Sequence, residues 1–206
     1  MLHMIRGCQV PCPEALQEGF EKGERHLFAS LDAEHIDPAF RAFLRRQREE
    51  LFFFLELPTN FKIQKELWEE RRRSGVEGPP PFYLDVYYWD GISLADALSL
   101  LDRYGELLIH DGMCSFGFGV RSFSAELQKG KYNCVTLYAA DIDAYDDFFP
   151  SLGVERVQEL RTAWDGFDAF DPGDCFTIRV DGVTIYDLPE LMKDKGLYFA
   201  ERREED

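Results

Sequence analysis

Apolar positions change their spacing near the middle of the chain. Leu16, Phe20, Leu27 and Leu31 recur at helical intervals after Pro13. Asp37-Pro38 then reads as an N-cap followed by proline at the first helical position, and Phe40, Phe43, Leu44, Gln47 and Leu51 continue one face. The run Leu51-Phe52-Phe53-Phe54-Leu55-Glu56-Leu57 fits either an extension of that helix or a buried strand, and Pro58 ends it in both cases. Thr59 or Asn60 caps a further helix through Leu67 and Trp68, closing on Arg71-Arg72-Arg73, which suits the negative end of a helix. Residues 1–75 are therefore predicted to be a helical N-terminal segment.

Ser74-Gly75-Val76-Glu77-Gly78-Pro79-Pro80-Pro81 is the clearest break, since glycine and triple proline favour an extended connector. Beyond it, short strands and short helices alternate. Phe82–Trp89 reads as a strand, and Ser93 caps a helical stripe of Leu94, Ala97, Leu98 and Leu101 that ends at Gly105. Leu107–His110 reads as a strand turning at Asp111-Gly112 into Cys114–Val120, with Tyr132–Ala140 next. A helix is predicted over about 154–164, then a hairpin of 175–180 and 183–186 about Asp181-Gly182, a short helix over 189–193 and a last strand over 197–200. The fold class expected is α+β: a mostly antiparallel sheet with helices packed on one face, preceded by the helical segment. Residues 76–206 form the sheet domain, separate from residues 1–75 or joined with them in one compact unit.

Composition narrows the class. The chain has 206 residues, 45% hydrophobic and 15% aromatic, enough for a sizeable core. It holds no apolar run of membrane-spanning length, its start breaks off before a signal-peptide apolar region forms, and a cytoplasmic protein is expected. Five cysteines, an odd number, fit buried free thiols in a reducing compartment. Cys8, Cys12 and His3 lack a fourth zinc ligand nearby. The net charge is −16, and residues 139–174 carry 10 acidic groups against 2 basic ones. Such a field repels nucleic acid and anionic membranes and attracts a basic protein.

Three stretches carry candidate chemistry. In His110-Asp111-Gly112-Met113-Cys114-Ser115-Phe116-Gly117-Phe118-Gly119-Val120, strand alternation sends Cys114, Phe116, Phe118 and Val120 one way and Ser115, Gly117 and Gly119 the other. The bare face allows a bent strand, close approach of an aromatic, or a ligand groove. His110, Cys114, Gly117 and Gly119 are the candidates for such a groove. The third glycine of a dinucleotide loop is missing. Asp141-Ile142-Asp143-Ala144-Tyr145-Asp146-Asp147 places carboxylates after a strand, but phosphate-loop and calcium-loop patterns fail on spacing, so neither a metal nor a cofactor is expected. Residues 164–174 alternate aromatics with aspartates. Asp141, Asp143, Asp146, Asp147, Trp164, Asp165, Asp168, Asp171 and Asp174 are the candidate docking surface for a cationic partner.

The leading expectation is a non-enzymatic acidic module that binds a basic protein, as immunity or antitoxin proteins neutralise basic effectors, an analogy of charge and size alone. The alternative is a small-molecule-binding or hydrolytic enzyme with a cleft over the Gly117/Gly119 face.

Overall fold

The computed structural model describes residues 2–205. Strands begin the chain, against the expected helical segment: β1 is Cys8–Gln9, β2 Gly19–Lys22 and β3 His26–Ser30. The positions read as helical also fit a two-residue period, because Leu27, Ala29 and Leu31 are all fully buried on one side. Gly19 and Gly23 would each weaken a helix by about 1 kcal/mol. Here Gly23 instead turns the hairpin, its N–H donating to His26 O at 2.9 Å. Helix α1 then runs Ala33–Arg46 and is capped by Asp32, whose carboxylate accepts from Glu34 N–H at 3.0 Å. Asp37 lies within this helix and takes Arg41 as its partner at 2.6 Å. Its apolar stripe of Ile36, Ala39, Phe40, Phe43 and Leu44 is fully buried.

Strand β4 spans Leu51–Pro58, which resolves the ambiguous phenylalanine run as a strand. Helix α2, Phe61–Arg73, follows with Asn60 accepting from Lys62 N–H. The proline segment leads into β5, Tyr83–Ile92, after which Ser93 caps α3, Leu94–His110. This helix runs through Gly105 and absorbs the stretch read as a strand. Leu107, Leu108 and Ile109 continue its buried stripe. Asp111 is therefore a helix C-cap, with its N–H bonded to Leu107 O at 3.0 Å, and no hairpin forms there.

Strands β6 (Ser115–Val120), β7 (Ala125–Lys129) and β8 (Cys134–Ala139) complete the centre. The tail adds β9 (Asp174–Cys175), α4 (Leu188–Met192) and β10 (Tyr198–Glu204). The main sheet is antiparallel throughout, in the order β10-β5-β4-β6-β7-β8-β3-β2, and β1 pairs separately with β9. Strands from both sides of the proline segment thus share one sheet, with β4 between β5 and β6. The helix expected near residues 154–164 is absent. Glu155 and Val157 exchange backbone hydrogen bonds with Phe20 in β2, and a short 3-10 turn covers Ala163–Gly166. The turn at Asp181-Gly182 forms with positive φ at both residues, but only a single bridge, Val180 to Val183, flanks it.

One face of the sheet packs on α1 and α3. Phe116 and Phe118 meet Phe40 there, with the Phe40–Phe116 ring centroids 4.6 Å apart, and Phe53 packs on both of them. The other face carries Gly117 and Gly119, each paired across β4 with an aromatic: Phe54 opposite Gly117 and Phe52 opposite Gly119. The two rings lie on the glycines. A Cβ at Gly117 would stand 2.4 Å from Phe54 Cε1, and one at Gly119 would stand 2.3 Å from Phe52 Cζ. These glycines exist so that two phenylalanines can lie flat on an otherwise uncovered sheet face. Among the described residues no helix is long and apolar enough to cross a membrane.

Candidate functional site

The acidic residues separate into two groups with different surroundings. Asp143 and Asp146 both pair with Lys22 of β2, and Asp147 pairs with Arg46 of α1 at 2.9 Å. Arg46 also donates to Ala144 O and lies over the Tyr145 ring, 4.8 Å from its centroid. The Lys22 ammonium holds the Asp143 carboxyl below its usual range. These three carboxylates therefore meet cations of this chain first, and the segment fastens to β2 and α1. Asp141 is exposed and makes no ion pair among the described residues.

The second group lies on the loop before β9. Thr162 and Asp165 form a reciprocal cap on the 3-10 turn, with Thr162 N–H donating to Asp165 Oδ2 at 2.8 Å. Trp164 and Phe167 pack edge-to-face on Tyr132, at centroid distances of 4.9 and 4.8 Å, and on each other at 5.4 Å. Trp164 is nonetheless half exposed. Beyond this aromatic anchor the loop turns on Asp168, whose Oδ1 accepts from Phe170 N–H at 2.7 Å and Asp171 N–H at 2.9 Å. Those two bonds lower the Asp168 carboxyl below its ordinary range. Asp168 N–H returns to Asp171 O, closing a compact turn. At its tip Phe170 is 98% exposed. Gly173 has φ +70° and lets Phe167 lie against the backbone, where a Cβ would come within 2.6 Å of the ring. Asp165, Asp168, Asp171 and Asp174 are all exposed, and none has an ion-pair partner among the described residues.

The alternative ligand residues are placed otherwise than a groove requires. The space over Gly117 and Gly119 is filled by Phe54 and Phe52. His110 ends α3 and accepts from Arg6 N–H through Nδ1 at 3.3 Å, while its carbonyl takes Gly7 N–H. Burial lowers its imidazole below the usual value. Cys114 is fully buried, donates to Leu108 O, and has its thiol pushed up to about 12 by burial. His110 and Cys114 thus each serve backbone groups. A groove of about 700 Å³ lies elsewhere, between α2 and the proline segment, and is lined by Lys65, Trp68, Arg72, Val76 and Pro80.

Several structural residues carry no local signature. Asp111 is wholly buried and its carboxylate accepts from Met113 N–H, Thr177 Oγ1 and Ile178 N–H, so it ties the end of α3 to the tail. Lys129 is also wholly buried and donates to the carbonyls of Asp111 and Cys114. Asn133, with φ +65°, bonds Ile5, His3 and Leu31 and so locks the first residues in place. Phe170 sits in an Asp-Ala-Phe-Asp-Pro-Gly run whose turn residues are readable, but its full exposure depends on where the loop is anchored. Compared with protein-family models, with curated proteins and with solved structures, the chain matches none.

Proposed function

We propose that this chain is a protein-binding module that docks a basic partner on the loop of residues 164–174. The carrying observation is Phe170, exposed almost completely on a turn that Asp168 holds in one shape. An apolar ring held in water by a built turn is a ready anchor, since burying a phenylalanine is worth about 1.5–3 kcal/mol. Preorganisation also removes the cost of ordering the loop on contact. Asp165, Asp168, Asp171 and Asp174 surround it with charge that this chain leaves unpaired among the described residues. That charge favours a cationic partner and disfavours nucleic acid and anionic membranes. Asp143, Asp146 and Asp147 already pair with Lys22 and Arg46, and this reading leaves them out of the docking surface. Five free thiols fit a cytoplasmic setting, and neutralising a basic effector is one concrete form of the activity.

The test compares proteins retained from a native lysate by four immobilised chains at low and high salt. These are the wild type, Phe170→Ala, a fourfold Asp→Asn variant at 165, 168, 171 and 174, and a threefold Asp→Asn control at 143, 146 and 147. The proposal expects a basic protein held by the wild type and the control, released by salt, and lost from the other two. Equal retention of that protein by all four chains overturns it.

A further inference from the structure

Two of the five cysteines face each other. Cys8 of β1 and Cys175 of β9 are directly opposed across the antiparallel pair, with their Sγ atoms 3.3 Å apart. The flanking backbone bond runs from Phe176 N–H to Gly7 O at 2.9 Å. That pattern makes Cys8 and Cys175 a non-hydrogen-bonded pair, the register that brings opposed side chains closest. In that register opposed Cα atoms generally stand about 4.5 Å apart, inside the range a disulfide spans, about 4.4–6.8 Å. We propose that Cys8 and Cys175 are a redox-active dithiol that closes to an intramolecular disulfide by exchange with a small-molecule disulfide. The inference is independent of the docking function proposed above.

The two thiols have unequal roles. Cys175 is the more exposed and Cys8 is buried. The Cys8 hydrogen bond lowers the Cys175 thiol to about 7, burial opposes this, and the Tyr132 hydroxyl with the Lys131 and Lys129 amino groups assists it. The same hydrogen bond, with burial, raises the Cys8 thiol. Cys175 is thus the attacking thiolate and Cys8 the resolving thiol. In the first step the Cys175 sulfur attacks one sulfur of the external disulfide, forming a mixed disulfide and releasing one thiolate. In the second, Cys8 gives up its proton and its sulfur attacks the Cys175 sulfur, releasing the other thiolate. Two protein thiols are oxidised, one external disulfide is reduced to two thiols, and the two protein protons end on them. Neither strand has to move far, because Gly7 and Gly112 already hold β1 and β9 against the end of α3. A Cβ at Gly112 would stand 1.8 Å from Gly7 O.

The experiment exposes the folded full chain to oxidised glutathione, blocks remaining thiols with N-ethylmaleimide in acid-quenched samples, and maps peptides by mass spectrometry. Free thiols are expected to fall from five to three, with the Cys8 and Cys175 peptides joined. The Cys8→Ala variant, its fold checked by circular dichroism, should stop at a glutathione adduct on Cys175. Retention of all five thiols in the wild type overturns the proposal. So does a disulfide that uses Cys12, or a Cys8→Ala chain that carries its adduct elsewhere.

Discussion

Replacing Gly119 by alanine tests the reason given for the glycine face. The added Cβ would meet Phe52 Cζ at 2.3 Å, Cε1 at 2.6 Å and Cε2 at 3.1 Å, so its three nearest neighbours are atoms of that ring. Phe52 lies on the face that carries no helix, so its ring can swing outward. The cost is then the burial of a ring now only 4% exposed. That burial is worth about 1.5–3 kcal/mol. Alanine recovers about 0.5–1 kcal/mol over glycine within a strand. The net expectation is a loss of about 1–2 kcal/mol, or roughly 2–8 °C in midpoint for a chain of this size. In a Phe52→Ala background the obstacle is gone, and Gly119→Ala should then stabilise by about 0.5–1 kcal/mol. The sign reverses, and urea unfolding followed by tryptophan fluorescence across the four chains of the double-mutant cycle reads it directly. Gly117 gives the contrast. A Cβ there also lies 2.6 Å from the backbone oxygen of Leu127, so Gly117→Ala should stay destabilising even with Phe54→Ala. If Gly119→Ala costs the same in both backgrounds within about 0.5 kcal/mol, the ring is not what the glycine accommodates.

Other expectations follow from the buried polar groups and the thiols. Asp111→Ala should cost about 3–5 kcal/mol in urea unfolding, because Met113 N–H, Thr177 Oγ1 and Ile178 N–H lose their common acceptor in the interior; a loss below about 1 kcal/mol would mean that water replaces it. Alkylation of Cys175 by iodoacetamide should accelerate as pH rises through about 7, since the thiolate is the reacting form and its pKa is depressed. Cys8→Ala removes the hydrogen bond that lowers it, so the profile should move to higher pH; an unmoved profile contradicts that cause. Trp164→Ala should cost about 1–2 kcal/mol, less than a core aromatic, as its ring is 52% exposed and rests edge-on against Tyr132 and Phe167. A loss of several kcal/mol would make it a core residue.

Local chemistry made several elements readable. Ser93 and Asn60 cap the helices their positions imply, and Asp181-Gly182 turns. The strands expected over 82–89 and 114–120 form as Tyr83–Ile92 and Ser115–Val120. Errors arose where a residue's partner lies far along the chain. Asp111-Gly112 has the composition of a hairpin turn, yet Thr177 and Ile178 claim its carboxylate and α3 runs up to it. Asp37-Pro38 resembles a cap, yet Asp32, fixed by His3 at 2.9 Å, starts the helix earlier. Residues 154–157 carry a helical pattern, but the open edge of β2 takes their backbone groups. Of the acidic surface, the aspartates were legible as a cluster. Their division was not, because it depends on Lys22 and Arg46, roughly a hundred or more residues upstream. Cys8 and Cys175 gave no signal at all, being 167 residues apart.

The strand order also constrains how the chain reaches this state. Strands β4 to β8 are near neighbours in sequence and sheet, so they can pair as soon as they are made, with α3 closing over them. The flanking pairs are long-range: Tyr198 meets Tyr88, and Cys8 meets Cys175. Closing such loops brings no contacts until the whole intervening chain is collapsed, which slows barrier crossing in proteins rich in distant pairings. During synthesis β5 must therefore wait, with its outer backbone groups unpaired, until residues 198–204 leave the ribosome. That waiting strand reads Tyr83-Leu84-Asp85-Val86-Tyr87-Tyr88-Trp89-Asp90-Gly91-Ile92, rich in aromatics, with Asp85 and Asp90 its only charges. It is the segment through which nascent chains would join one another, so the yield of soluble product depends on how quickly the last strand arrives.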